Sequence, residues 1–128
     1  MSRDRGYLLD TCVLLWWLSG DARLNSAWEE RLRVARCLVS AASIWETAIK
    51  HRLGKLPVSP TDLITAASQA GFEALAITSA HAAATSALPP HHQDPFDRLL
   101  IAQAQLEGVC LLSSDRALKA YGRSVVLL

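Results

Sequence analysis

The 128-residue sequence carries almost no net charge, no closely spaced cysteines, no glycine- or serine-rich tract and no apolar run long enough to cross a bilayer. Each absence removes a class of protein. A formal net charge of +1 excludes a protein that coats nucleic acid through bulk basicity, so any contact with RNA must use a local patch. Cys12, Cys37 and Cys110 sit far apart in separate apolar runs, with no zinc-like Cys/His spacing. They read as buried, reduced thiols. Arg3 and Arg5 precede the apolar stretch from Tyr7 to Leu18, but Asp10 interrupts it and no small-residue cleavage site closes it. The stretch is also shorter than the roughly 20 residues of a spanning helix. The expectation is a cytoplasmic protein with no membrane segment.

What is present is enough for one domain over residues 1–128, with a core that needs no disulfide. A hydrophobic content of 51% leaves a surplus that suits an oligomer or partner interface. Short apolar runs alternate with longer amphipathic ones, the pattern of βα units around a parallel sheet. Strands are expected at 7–9, 37–40, 73–77, 109–112 and, as a closing edge strand, 125–128. Helices are expected at 11–18, 26–36, 43–53, 61–69, 79–88, 95–107 and 116–121. The helix at 95–107 is the clearest, with Pro95 at its first position and Gly108 just past its end.

Four acids fall where strands give way to helices: Asp10, Glu46, Asp97 and Asp115. Ligands of open α/β sheets bind beyond the carboxyl ends of the strands. Each acid also has a local explanation. Ser43-Ile44-Trp45-Glu46 and Ser26-Ala27-Trp28-Glu29 both fit capping boxes, and Asp94-Pro95-Phe96-Asp97 fits an Asp cap with an acid at the third position. Asp10 and Asp115 could likewise be N-caps, although Asp10 lies inside an apolar run. Composition and spacing leave the two readings open.

Leu9-Asp10-Thr11, then Ser43-Ile44-Trp45-Glu46, then Asp94-Pro95-Phe96-Asp97-Arg98-Leu99-Leu100-Ile101-Ala102-Gln103-Ala104, then Ser113-Ser114-Asp115 resembles the PIN-domain family, and within it the VapC-type toxins of toxin–antitoxin pairs. The resemblance runs from about residue 7 to the C-terminus, in the family's order. It implies a three-layer α/β/α fold with a central, mainly parallel sheet. It implies Mg²⁺- or Mn²⁺-dependent cleavage of RNA by metal-activated water, a cognate antitoxin as partner, and a homodimer. DNA would be met only through the antitoxin. Residue by residue, Asp10, Glu46, Asp97 and Asp115 match the family's metal-binding, catalytic acids. Thr11 and Ser113 match hydroxyl positions beside the first and last, and Asp94 matches a subfamily acid that a helix cap explains equally well. Gln93 stands where relatives often carry a basic residue, and Ser113 where a Thr is common. A haloacid-dehalogenase-type phosphatase would need a second Asp two residues after Asp10, where this chain has Cys12.

The chemistry agrees with the resemblance. Two unit charges about 4 Å apart cost roughly 4 kcal/mol at an effective dielectric near 20, so gathered carboxylates either hold protons or recruit a divalent ion. Hard oxygen donors favour Mg²⁺ or Mn²⁺ over Zn²⁺. Lys50, Lys55 and Arg98 are the candidate RNA contacts, with His51 and Arg52 read as charges closing a helix and Lys50 also able to pair with Glu46 at i,i+4. His91 and His92 read as surface groups. Trp45 and one of Trp16 and Trp17 read as core packing. The competing reading is a non-catalytic binding module whose acids are only caps.

Overall fold

The computed structural model of the chain describes residues 6–128, so Arg3 and Arg5 lie outside the described residues. Its centre is β1 (Tyr7–Leu9), where every residue beyond Tyr7 is fully buried. Period-two alternation sends successive side chains to opposite faces of a sheet. Leu8 accordingly joins Leu38 and Leu111 in the core on one face, and Leu9 joins Val39 and Leu112 on the other. The strands that supply these rows are β2 (Cys37–Ser40) and β4 (Cys110–Ser113), both parallel to β1. β3 (Glu73–Leu75) and β5 (Val125–Leu127) complete a five-stranded sheet in the order β3-β2-β1-β4-β5, with all four pairings parallel. Gly6 starts β1 at φ 99° where a Cβ would collide with the Arg36 carbonyl, so only glycine lets this strand close onto its neighbour.

Helices cover both faces. α1 (Thr11–Ser19), α2 (Ser26–Val34) and α4 (Pro60–Gln69) bring Val13, Leu14, Leu32, Leu63 and Ala67 to the Leu9 face. α6 (Pro95–Glu107) brings Leu100, Ile101 and Ala104 to the Leu8 face, joined by Leu118 and Tyr121 from a 3-10 segment (Arg116–Ser124). α3 (Ala41–Arg52) and α5 (Ser79–Ala84) complete the set. This is the expected three-layer α/β/α arrangement. No helix among the described residues is long and apolar enough to cross a membrane.

The chain leaves β1 toward β2 and β3 and then returns to the opposite side for β4. The order therefore reverses between β1 and β4, the position where open α/β sheets open a crevice beyond their strand ends. Asp10 follows β1 and Asp115 lies two residues beyond β4, so topology alone brings these two acids to one crevice.

Several local expectations change. α3 starts at Ala41, with Ser40 as its cap through the Ala42 amide, so Ser43-x-x-Glu46 is not a capping box. Asn25, not Ser26, caps α2. Trp45 is 58% exposed rather than packed inside, because the earlier start of α3 turns it away from the sheet. Trp16 and Trp17 are both half-buried. Of the cysteines only Cys37 is buried; Cys12 is exposed on the first turn of α1 and Cys110 is intermediate.

Candidate active site

Asp10 is 7% exposed and caps α1, its Oδ1 accepting from the Val13 amide at 2.8 Å. Burial pushes its carboxyl up, the Ser113 hydroxyl and the Val13 amide pull it down, and the charges of Glu46 and Asp115 push it up again. Capping takes one oxygen and leaves the other. Asp115 repeats the device at the end of β4: its Oδ1 accepts from the Ala117 amide, and its own amide donates to Ser113 Oγ, each at 3.0 Å. Ser113 thus touches both of the acids that follow β1 and β4.

Asp97 stands one turn into α6. Asp94 is the N-cap, accepting from the amides of Phe96 and Asp97 at 2.8 and 3.4 Å, which frees the Asp97 carboxylate from capping. That carboxylate receives no hydrogen bond from any backbone amide among the described residues. Burial is the main force raising its pKa to about 7, helped by the charges of Asp94, Asp10 and Glu46 and opposed by His92. Glu46 is held differently. Thr11 Oγ1 donates to its Oε1 at 2.7 Å, and Lys50 Nζ donates to its Oε2 at 2.9 Å. Thr11 also lies 3.0 Å from Ser43 Oγ, so the Ser-x-x-Glu pattern serves to brace Glu46 against α1.

The tightest grouping is Asp97, Asp115 and His92, whose donor atoms lie within 4.8 Å of one another. His92 Nε2 is 3.3 Å from Asp115 Oδ2 and 3.4 Å from Asp97 Oδ2. Sequence reasoning missed His92 by taking it for a surface loop residue. The only hint was its place directly ahead of the Asp-Pro block. Asp10 and Glu46 face this grouping at a longer range, acting on Asp97 through their charge.

The RNA-contact candidates separate. Lys50 is engaged with Glu46, Lys55 is exposed, and His51 closes the end of α3 through the Leu56 carbonyl. Arg98 has another use. Its guanidinium donates to the carbonyls of Thr85, Leu88, Pro89 and His92 and to the Tyr121 hydroxyl, at 2.8 to 3.3 Å. A planar fork of donors suits this stapling of a loop better than a lysine would. Beside the acids, Glu46, Ile49, Lys50, Asp94, Pro95 and Phe96 line a cavity of about 330 Å³.

Several half-buried carboxylates at a sheet's switch point, braced by hydroxyls and short of cations among the described residues, fit a divalent metal ion: its charge would offset the burial and the neighbouring acids that raise Asp97 to about 7. The fold and the acidic cluster together define a parallel α/β domain with a candidate cation site at its switch point. The PIN domain model matches residues 7–124, and the chain belongs to that family. No curated protein matches the sequence. Among solved structures, the chain is similar to a toxin–antitoxin complex from Klebsiella pneumoniae (20% identity, 94% of this chain and 95% of that one, TM-score 0.64). It is also similar to VapBC2 from Rickettsia felis bound to a promoter DNA fragment (13% identity, 95% and 96%, TM-score 0.68). A third likeness is to a domain of a functionally unknown protein from Methanocaldococcus jannaschii (20% identity, 95% and 89%, TM-score 0.58).

Proposed function

We propose that the protein is a Mg²⁺- or Mn²⁺-dependent endoribonuclease, the toxin of a toxin–antitoxin pair, acting in the cytoplasm. The observation that carries the reading is Asp97, a carboxylate raised to about 7 by burial and by neighbouring acids, with no cationic side chain among the described residues closer than His92 to relieve it. Asp97, which caps nothing, would hold the metal ion together with Asp115 and Asp10 through the lone pairs that capping leaves free on those two. A divalent ion bound there supplies positive charge against the phosphate and makes water a stronger acid. Glu46, fixed by Thr11 and Lys50, orients the attacking water for in-line approach to phosphorus. The water oxygen bonds to phosphorus as the bond to the leaving ribose oxygen breaks. Lys50 and Lys55 flank the path of the RNA backbone, while Arg98 keeps its loop in shape.

An apolar trough of about 750 Å³ between α3, α4 and β3, lined by Trp45, Ile44, Ile64 and Phe72, supports a protein partner such as a cognate antitoxin or a second copy. Two of the similar solved structures are toxin–antitoxin assemblies, which supports the same reading. The test is RNA cleavage with millimolar Mg²⁺ by the wild type, Asp10→Asn and Asp97→Asn. Both variants are expected to lose activity by about a hundredfold or more. Wild-type rates in either variant would overturn the reading in favour of a non-catalytic binding module.

A further inference from the structure

His92 sits against both Asp97 and Asp115, and the rest of its polar atoms are already committed. Its backbone amide donates to the Tyr121 hydroxyl at 3.0 Å, and its carbonyl accepts from Arg98 at 3.2 Å. Its Nδ1 accepts from the Asp94 amide at 3.0 Å. A backbone amide can only donate, so Nδ1 carries the lone pair and the ring hydrogen sits on Nε2. That Nε2–H is the one free donor of the residue: it faces Asp115 Oδ2 at 3.3 Å, with Asp97 Oδ2 3.4 Å from the same nitrogen. A histidine that ligates a metal has the opposite arrangement: its other nitrogen carries the hydrogen and gives it to an acceptor. Ligation by His92 Nε2 would set an N–H against the N–H of Asp94, at the cap of α6.

His81 shows the same lock elsewhere in the molecule. Its Nδ1 accepts from the Thr78 amide at 3.0 Å, and its Nε2 donates to Glu107 at 2.9 Å. There the outcome is a closed structural pair far from the acids. At His92 the same device is aimed at two carboxylates that repel each other.

We propose that His92 is a positioning residue for the metal centre and not one of its ligands: its Nε2–H holds the Asp97 and Asp115 carboxylates in register, leaving their remaining lone pairs to the cation. The inference rests on the metal-dependent reading above. Arg98 and Tyr121 act one step further out, fixing the backbone from which the ring reaches the acids.

The test begins with wild-type protein carrying ¹⁵N-histidine. Long-range ¹⁵N–¹H correlation is expected to report the Nε2–H tautomer for His92 in metal-free protein and the same tautomer after saturation with Mg²⁺. Pulsed electron paramagnetic resonance of the Mn²⁺-loaded protein should show no directly coordinated nitrogen. A switch to the Nδ1–H tautomer with metal, or a coordinated nitrogen that disappears in His92→Gln, makes His92 a ligand and overturns the proposal while leaving the metal site standing. Calorimetric titration supplies the second arm. His92→Leu, which removes the donor, should weaken Mg²⁺ binding roughly tenfold to a hundredfold. His92→Gln, which restores an N–H at similar reach, should recover most of that loss. Equal affinities in all three proteins would overturn the positioning role, and a wild type that binds neither ion at millimolar concentration would overturn the metal-dependent reading along with it.

Discussion

Gln103 and Asp97 lie on the same helix, α6, and each anchors a polar cluster in an otherwise apolar neighbourhood. Around Gln103 the chain supplies every partner. Its Oε1 accepts from Ser40, its Nε2 donates to the Ala76 carbonyl and to His81 Nδ1, and His81 passes its own hydrogen to Glu107. Gln103 and Ser40 are fully buried, and the one formal charge of the network, on Glu107, is exposed to solvent. Around Asp97 the chain gathers Asp10, Glu46, Asp94 and Asp115 and answers them with Lys50 on Glu46 and the neutral donors already named. A polar cluster completed by the protein is architecture. One left short of positive charge among the described residues carries an electrostatic cost that a cation would relieve, as the proposed function requires.

The comparison breaks first at Gln103. Gln103→Leu keeps the volume and strands the Ser40 hydroxyl and the Ala76 carbonyl in the interior, so stability should fall by about 3 kcal/mol. Chemical denaturation measures this, and the response of the variant to Mg²⁺ should match that of the wild type. Asp97→Asn should do the reverse. Removing a charge that burial and three acids disfavour is expected to stabilise the metal-free protein at pH 8, on the order of 2 kcal/mol after allowing for solvent screening. The same variant should gain little from Mg²⁺. A destabilised Asp97→Asn would mean that the cluster is completed by contacts of another kind, and the contrast with Gln103 would fail.

How much of this contrast the sequence displays depends on how local each feature is. Asp94-Pro95 and Gly108 bound α6 as expected because a cap, a first-turn proline and a left-handed glycine act within a few residues. The alternation of strands and helices, and with it the parallel sheet, is similarly local. The acids at 10, 97 and 115 were legible as a group through their order in the chain, and capping does not compete with the proposed site: Asp10 and Asp115 each cap with Oδ1, and Asp115 keeps Oδ2 for His92. Glu46 looked like a cap because Ser43 stands three residues before it, but Ser40 at the end of β2 begins the helix earlier. Trp45 and Cys12 were misread for a related reason, since a shift of one or two residues in helical phase decides which side meets the sheet. His92 was out of reach altogether. Its position depends on Arg98 collecting carbonyls from Thr85 to His92 and on Tyr121 arriving from 29 residues away, none of which has a sequence spacing to recognise.

A smaller effect sharpens the comparison through pH. An acid with its folded pKa raised from 3.8 to about 7 binds its proton more tightly in the folded chain than in the unfolded one. Its contribution to stability is therefore fully present below about pH 4 and is lost as pH rises through about 7. The metal-free protein should lose stability across that window, and the stabilisation produced by Mg²⁺ should grow across the same window. Gln103 does not titrate, so Gln103→Leu should lower the whole curve without changing its shape. Denaturation at pH 5 and pH 8, with Mg²⁺ or with chelator, separates the two behaviours. A metal effect independent of pH would remove Asp97 from the site.

The smallest effect guards against reading every unsatisfied polar atom as a sign of function. Thr47 is fully buried on α3, next in sequence to Glu46, and its Oγ1 has no hydrogen-bond partner among the described residues. It differs from Asp97 in what surrounds it. No acid of the cluster shifts through it, and its hydroxyl belongs to the same buried side of α3 as Ala42 and Ser43. A hydroxyl left unmet in an apolar setting is a cost without a ligand to recover it. Thr47→Val keeps the shape and the β-branch while removing the oxygen, and it is expected to raise stability by about 0.5–1 kcal/mol with RNA cleavage and Mg²⁺ affinity unchanged. If Thr47→Val instead weakened Mg²⁺ binding, the hydroxyl would belong to the bracing of Glu46, and the boundary between architecture and site would have to be drawn through α3 rather than along one edge of it.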